Sequence, residues 1–385
     1  MRKILFIMSI SGVGGTSKSF IEFMKVFPLS SYEVHIGLLE ANGPFMAQLP
    51  QGVIIHDFPP LSNKKTFLER IKSFHWIGAV SFLLSLAYGR VTHDYFWFCR
   101  NKYKDVPVFD ECFDLAVSYR SIPPEFIYFL CNRVQAKVKC SWVHEDVAFA
   151  EKQVNYGMLA QLHPCLDRIF VVSEEAKQHF DATFPQMQRL TDVFHNVIPV
   201  GTILKMAEEG PTFVDGHQRK RLLTVGRVHY QKGVLMAIHT LTILLEKGYD
   251  VNWYFIGGNN GDRYFRQCMR LIEKEGLADH FILLGVQMNP YRFMQDCDVY
   301  VQPSLFESYC MSLAEALCFS NPIVTTCFCG AREQLTERAN TYMTDISSEA
   351  LAEGIVKALN DEKIPVKPVQ KENDLEKLYA LCQTK

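Results

Sequence analysis

The 385-residue chain carries almost no net charge, −2 from 40 basic and 42 acidic residues. A nucleic-acid partner has no support in that balance, because phosphate binding asks for an excess of Lys and Arg. No uninterrupted apolar run reaches the roughly 20 residues that a membrane span needs. Cysteines number twelve, yet they are scattered and form no C-x-x-C pair. The closest pair is Cys327 and Cys329. With no exported leader in view, they read as reduced thiols of a cytosolic protein. The start, Met1-Arg2-Lys3 and then Ile4 to Met8, is charged and then apolar. Its apolar run is short and soon meets Gly12, Gly14 and Gly15, so it reads as a first strand rather than a signal.

What is present fits a globular α/β protein. Hydrophobic residues make up 48% and charged residues 21%, and the length suits two domains. Ile4 to Ile10 predicts a strand buried on both faces, followed by a glycine loop and a helix from Phe20. Strand, glycine loop and helix is the layout of a phosphate cradle. The loop nearly spells a nucleotide-triphosphate P-loop, from Gly12 to Lys18-Ser19, but Ser17 stands where that motif needs Gly. A dinucleotide fingerprint fails at the same position. A turn at Gly14 and Gly15 that lets a ligand approach the backbone and a plain tight turn both stay open.

Further strands are expected at 34–38, 53–56, 113–118, 139–143 and 168–172, with a short one at 194–199. The fourth of these runs into His144-Glu145-Asp146, at the sheet edge where open α/β sheets hold ligands. A lone strand-end histidine is more often structural, and Glu145 and Asp146 also suit the opening of a helix. Residues 63–104 combine apolar, basic and aromatic residues. They read as a buried helical hairpin in preference to an amphipathic helix resting on a membrane.

Residues 201–219 carry Gly, Pro, Asp and charges with weak periodicity, and the domain boundary is placed there. The expected layout is a first Rossmann-like domain at 1–200, a linker at 201–219, a second Rossmann-like domain at 220–370 and a terminal helix within 371–385. Both domains read as doubly wound α/β units facing across a cleft.

The second half holds the charged set. Arg227 and Lys232 leave its first strand five residues apart, suiting a diphosphate through a planar fork and a point charge. Two solvated surface cations would look the same. Pro303 to Leu317 reads as a helix opening on a Pro-Ser turn, with Glu307 at its entrance and Glu315 inside. At 1.5 Å per residue they would stand roughly 12 Å apart, right for two hydroxyl-rich groups joined by a diphosphate. The free N–H groups of that helix start would receive negative charge. An ordinary capped helix also favours Glu in its first turn. Asp296-Cys297-Asp298 spells D-x-D, but it precedes a strand and reads as incidental, so no metal is assigned.

Taken in order, Gly226-Arg227, Lys232-Gly233, Gly257-Gly258, Asp298 to Ser304, Glu307 and Glu315-Ala316, Asn321 to Val324 and Gly330 to Glu333 resemble the family-four retaining glycosyltransferases, which have the GT-B fold. The resemblance is dense from 222 to 335 and thinner in the first half. It implies a nucleotide-sugar donor, expected to be UDP-linked, with no other cofactor. It implies that Arg227 and Lys232 hold the diphosphate, Glu307 the transferred sugar and Glu315 the ribose. It further implies sugar or phosphate contacts along Ser308, Tyr309, Cys310 and Met311, with Gly257 and Gln287 on the nucleotide side. Gly14 and Gly15 would line the phosphates, and His144 would meet the reacting sugar. Cys310 departs from a frequent glycine. Apart from the resemblance, the aromatic and basic residues of 63–104 suggest a lipid-linked glycan acceptor at the inner membrane face of the cytoplasm, with peripheral membrane contact through 63–104 as the alternative to the buried hairpin. Rival readings are a P-loop ATPase or kinase, a non-catalytic nucleotide-sugar-binding subunit, and a sugar–nucleotide hydrolase or phosphorylase.

Overall fold

A computed structural model describes residues 1–10, 14–41, 43–58, 76–92, 95–104, 109–122, 124–150, 156–216, 218–335, 338–365 and 374–383. The chain divides into two compact units, Met1–Val197 with Asn373–Lys385, and Ile198–Glu372.

The first unit is built on seven parallel strands: β1 (Arg2–Ile10), β2 (Tyr32–Ala41), β3 (Ile54–Asp57), β4 (Cys112–Ser118), β5 (Gln135–Val143), β6 (Arg168–Val171) and β7 (Thr191–Val193). Their order is β3-β2-β1-β4-β5-β6-β7. The chain winds outward from β1 in one direction and from β4 in the other, so the topological switch lies between those two strands. Ile4 to Met8 expose no surface, as a strand covered on both faces requires. The helix Gly15–Val26 covers one face, and Phe6 meets Phe20, Phe23 and Phe27 edge-on. Such aromatic pairs add stability beyond their buried area.

The second unit repeats the plan with six parallel strands: β8 (Lys220–Val225), β9 (Val251–Ile256), β10 (Phe281–Gly285), β11 (Val299–Gln302), β12 (Ile323–Thr326) and β13 (Thr341–Thr344). The order is β10-β9-β8-β11-β12-β13, which puts the switch between β8 and β11. The helices Val234–Glu246 and Ser348–Leu359 cover one face, with Ile238, Leu241, Leu351 and Ile355 fully buried. Both units are Rossmann-like, and together they are of the GT-B type.

Four local expectations are corrected. Residues 200–208 are no linker: Val200–Glu208 is a helix whose Ile203 and Ala207, four residues apart, pack with Phe213, Tyr291 and Phe293. Flanking Gly and Pro hid that spacing. The strand expected at 194–199 ends at Val193, because the His195 backbone N–H is taken by Asp374 and the Asn196 side chain by Ser19. The twelve cysteines are not all thiols, since Cys131 and Cys165 are joined in a disulfide with Cα atoms 5.9 Å apart. They are 34 residues apart in sequence, and only the fold brings them together.

The fourth correction concerns residues 63–104. Residues 63–75 lie outside the described residues, while Trp76–Thr92 and Phe96–Tyr103 form two packed helices. The hairpin is only half buried, because the first helix turns Phe82 and its small residues inward and most of its other large apolar residues outward. Among the described residues no helix is long and apolar enough to cross a membrane.

The terminal helix Leu375–Gln383 belongs to the first unit. Tyr379 stacks on Tyr32 and approaches Phe27, while Asp374 binds His195 through Nδ1 at 2.9 Å.

Candidate functional site

The candidate donor site forms at the carboxyl edge of the second sheet, where the loops after β8 and β11 meet at the switch. After β8 the chain runs through Gly226 and Arg227 into a 3-10 turn, Tyr230–Lys232. His229 caps that turn by accepting the Gln231 backbone N–H. Gly233 then takes a left-handed conformation, φ 63°, and starts the Val234–Glu246 helix. A Cβ at Gly233 would lie 1.8 Å from the Pro303 carbonyl oxygen. That contact demands glycine and locks the two loops together, as does the Leu305 N–H donating to the Gln231 carbonyl at 2.8 Å. Gly257, φ 157°, plays the same part after β9, where a Cβ would strike the Gly226 carbonyl oxygen at 1.8 Å.

Locked loops place Lys232 and Glu307 in contact, Nζ to Oε1 at 2.6 Å. Both are largely buried, with side-chain exposures of 16% and 9%. Ser304 Oγ donates to Glu307 Oε1 at 2.9 Å, and Gln231 Nε2 to Oε2 at 3.1 Å. A carboxylate offers about four lone-pair directions, so these three donors leave room for one more, such as a sugar hydroxyl. Behind them, Gln302 Nε2 donates to Ser304 Oγ, while Tyr300 and Ser312 both donate to Gln302 Oε1. The Thr326 hydroxyl donates to the Ser304 carbonyl. This polar chain inside an apolar strand fixes the Glu307 carboxylate without help from a ligand.

Burial works against the Lys232 ammonium. Cys310 and Glu307 outweigh it and hold the pKa above the ordinary lysine value, even with Arg227 nearby. Arg227 itself is exposed at the rim. Burial, with Arg227 second, pushes His229 below the usual histidine value.

The helix expected over 303–317 is shorter. It spans only Met311–Ala316, with Cys310 as an extended cap, so Glu307 lies in the preceding loop and the spacing drawn from helical rise does not apply. The side-chain bonds to Ser304, Gln231 and Lys232 hold residues 304–307 in place of helical turns. Ser308, Tyr309, Cys310 and Met311 are all buried, and Cys310 Sγ lies 3.9 Å from Lys232 Nζ. Glu315 is 2% exposed, with the Tyr291 hydroxyl 3.5 Å away. Gln287 is half-buried and donates to the Leu284 carbonyl at 2.9 Å, in the loop after β10. Asp296 and Asp298 are engaged elsewhere: Asp298 binds Lys220 and the Arg221 N–H at the amino edge, and Asp296 binds Arg292 and Thr212.

The first unit carries a second group at the carboxyl edge of its sheet, after β4 and β5. His144 follows β5, with Tyr119 and Trp142 rings 4.9 and 6.0 Å away. Burial, reinforced by Arg120, lowers its pKa to about 3, so the imidazole is neutral at neutral pH. Burial pushes the Glu145 carboxyl up to about 7 against the pull of Arg120. Arg120 Nε and Glu145 Oε2 are buried with no hydrogen-bond partner among the described residues. Gly14 and Gly15 open the first helix, and a Cβ on either would meet nothing within 4 Å. Ser19, the hydroxyl a P-loop would turn to a metal, instead bonds Tyr119 and Asn196 in the core. Gln231, Ser304, Gln302, Arg120 and Glu145 were missed as site residues. For Gln302 and Ser304 a signal was available, two polar residues closing an otherwise apolar strand.

Residues 213–374 match the profile of the family "Glycosyl transferases group 1". An uncharacterized glycosyltransferase of Methanocaldococcus jannaschii is 26% identical over 211 residues, 52% of this chain and 50% of the relative. A 4-alpha-N-acetylgalactosaminyltransferase of Campylobacter jejuni, named for a diacetylbacillosaminyl-diphospho-undecaprenol substrate, is 26% identical over 55% of this chain and 56% of its own. The chain therefore spans about half the length of these curated relatives. Among solved structures, HepE of Anabaena in complex with UDP and glucose superposes with a TM-score of 0.67 at 18% identity, covering 94% of this chain and 90% of that one. TarM of S. aureus gives 0.68 at 11% identity, with both chains fully covered. At such identities these structures establish the fold alone.

Proposed function

We propose that the protein is a retaining, metal-independent glycosyltransferase that moves a hexose or N-acetylhexosamine from a UDP-sugar to a lipid-linked glycan in surface polysaccharide biosynthesis. The observation that carries this reading is the Lys232–Glu307 pair, held by Ser304 and Gln231 at the switch of the second sheet. It sets a fixed cation for a phosphate beside a fixed acid for sugar hydroxyls.

In this mechanism the anomeric carbon–oxygen bond of the donor breaks and the electron pair leaves with the β-phosphate. Lys232 and Arg227 stabilise the charge that develops there. The acceptor hydroxyl attacks from the face the phosphate is leaving, and its proton passes to a departing phosphate oxygen. Retention follows from that same-face geometry. Glu307 holds the transferred sugar through its remaining lone pair, and Glu315 the ribose. Backbone along Ser308 to Met311 faces the sugar and phosphates, with Gly257 and Gln287 toward the nucleotide. In the first unit, a Cβ at Gly14 or Gly15 would meet nothing within 4 Å, and the His144 imidazole is neutral. The UDP-bound HepE structure supports the donor class, and the named substrate of the Campylobacter relative supports the acceptor class.

The test is a panel of nucleotide sugars offered with undecaprenyl-diphosphate glycans. Transfer is expected from an α-linked UDP-sugar to an α-linked product, read from the anomeric proton by NMR, and chelator should leave the rate unchanged. A β-linked product, or donor binding with no transfer to any acceptor, would overturn this reading.

A further inference from the structure

The first unit carries an apolar surface that its own fold leaves uncovered. On the Trp76–Thr92 helix the buried positions are Gly78, Ala79, Phe82, Ser85 and Gly89, four of them small. The opposite face presents Ile77 at 89% exposure, Val91 at 81%, Leu84 at 57% and Val80 at 56%. At 3.6 residues per turn these four fall within an arc of roughly 60°, on the side away from the buried set. A helix that seats itself by small residues and sends its aliphatic side chains outward has the reverse of the usual amphipathic arrangement.

The chemistry around that face selects its partner. Trp76, Tyr88 and Trp97 are exposed beside it, and the rings of Tyr88 and Trp97 meet edge-on at 5.7 Å. Indole and phenol rings favour the boundary between hydrocarbon and water. Arg90, Arg100 and Lys104 are exposed on the same two-helix element. The sequence from 76 to 104 holds a single acid, Asp94. A helix of 17 residues that cannot cross a bilayer can lie in its interface. A second copy of the chain would bring the same cations and no described acid on this element to meet them, whereas anionic headgroups complement them.

We infer that the exposed face of the Trp76–Thr92 helix, flanked by Arg90, Arg100 and Lys104, is a docking surface for an anionic phospholipid bilayer, with the helix lying in the membrane plane. This surface is separate from the donor site and does not depend on the transferase reading.

The experiment is vesicle flotation of the full chain at low salt. One vesicle set is phosphatidylethanolamine with about one third phosphatidylglycerol, and the other is phosphatidylcholine alone. The protein is expected to float with the anionic vesicles and to release progressively as salt screens the headgroups. Ile77→Glu combined with Leu84→Glu should lower the bound fraction about tenfold, because charges then enter the interface. Arg90→Glu with Arg100→Glu, a change at exposed positions, should abolish flotation on the anionic set and leave circular dichroism and the melting temperature as they were. Failure of the wild type to float with either set overturns the inference. So does undiminished flotation of both variants. A dimer in solution that Ile77→Glu with Leu84→Glu dissociates, without flotation of the wild type, would assign the face to self-association instead.

Discussion

Glu307 and Lys232 show what one buried ion pair can be asked to do. Each member is buried against the other, so removing one exposes its partner's desolvation cost. Glu307→Ala should lower stability by about 1–3 kcal/mol as well as stop transfer. Glu307→Gln keeps the shape and should lose transfer with a smaller fall in melting temperature, and similar falls for the two would argue against the pair. Arg227 is exposed, so Arg227→Ala should leave folding untouched and slow the chemical step by about 10²–10³, read from kcat at saturating donor. Glu145 makes a pH prediction. Its folded pKa, about 7, lies above the ordinary 4.5, so the folded state binds the extra proton between those values. Its contribution to stability is greatest below about 4.5 and is lost as pH rises through about 7. Glu145→Gln should flatten that part of the stability profile, measured by urea unfolding across the range.

At the scale of elements, the placing of Lys232 against Glu307 depends on two glycines that join loops. Gly233 packs against the Pro303 carbonyl and Gly257 against the Gly226 carbonyl, each where a Cβ would sit 1.8 Å from an oxygen. Gly233→Ala also places a side chain at positive φ, which alone costs about 1–2 kcal/mol. Relief of the clash would separate the β8 and β11 loops and pull Lys232 away from Glu307. The expected outcome is lost donor binding together with a lowered unfolding midpoint of the second unit. Donor-induced thermal stabilisation that survives in Gly233→Ala would contradict this account. Glycine at both positions was visible in the sequence, but which carbonyl each one faces was not.

For the molecule as a whole, the last helix returns to the unit in which the chain began. Asp374 holds the His195 ring and backbone N–H, and Lys377 reaches the Val193 carbonyl at 2.6 Å. Burial would raise the Asp374 pKa, but the bonds from His195 and Lys377 prevail and bring it to about 2. A folded pKa below the ordinary 3.8 gives stability that is present above about 4 and lost as pH falls toward 2. Asp374→Asn should shift acid unfolding of the first unit to higher pH and increase hydrogen exchange in Leu375–Gln383. Unchanged exchange there would show that Tyr379 packing alone secures the helix.

The α/β class and most of the alternation of strand, loop and helix were determined by the sequence, because apolar runs and glycine turns act within a few residues. The tertiary structure alone decided that Glu307 stands in a loop and not in a helix, that Cys131 meets Cys165, and that Trp76–Thr92 faces outward with its large side chains. Each of these depends on groups far apart in the chain or on which helix face finds a neighbour. Periodicity reports that a helix has two faces; packing determines which of them is covered.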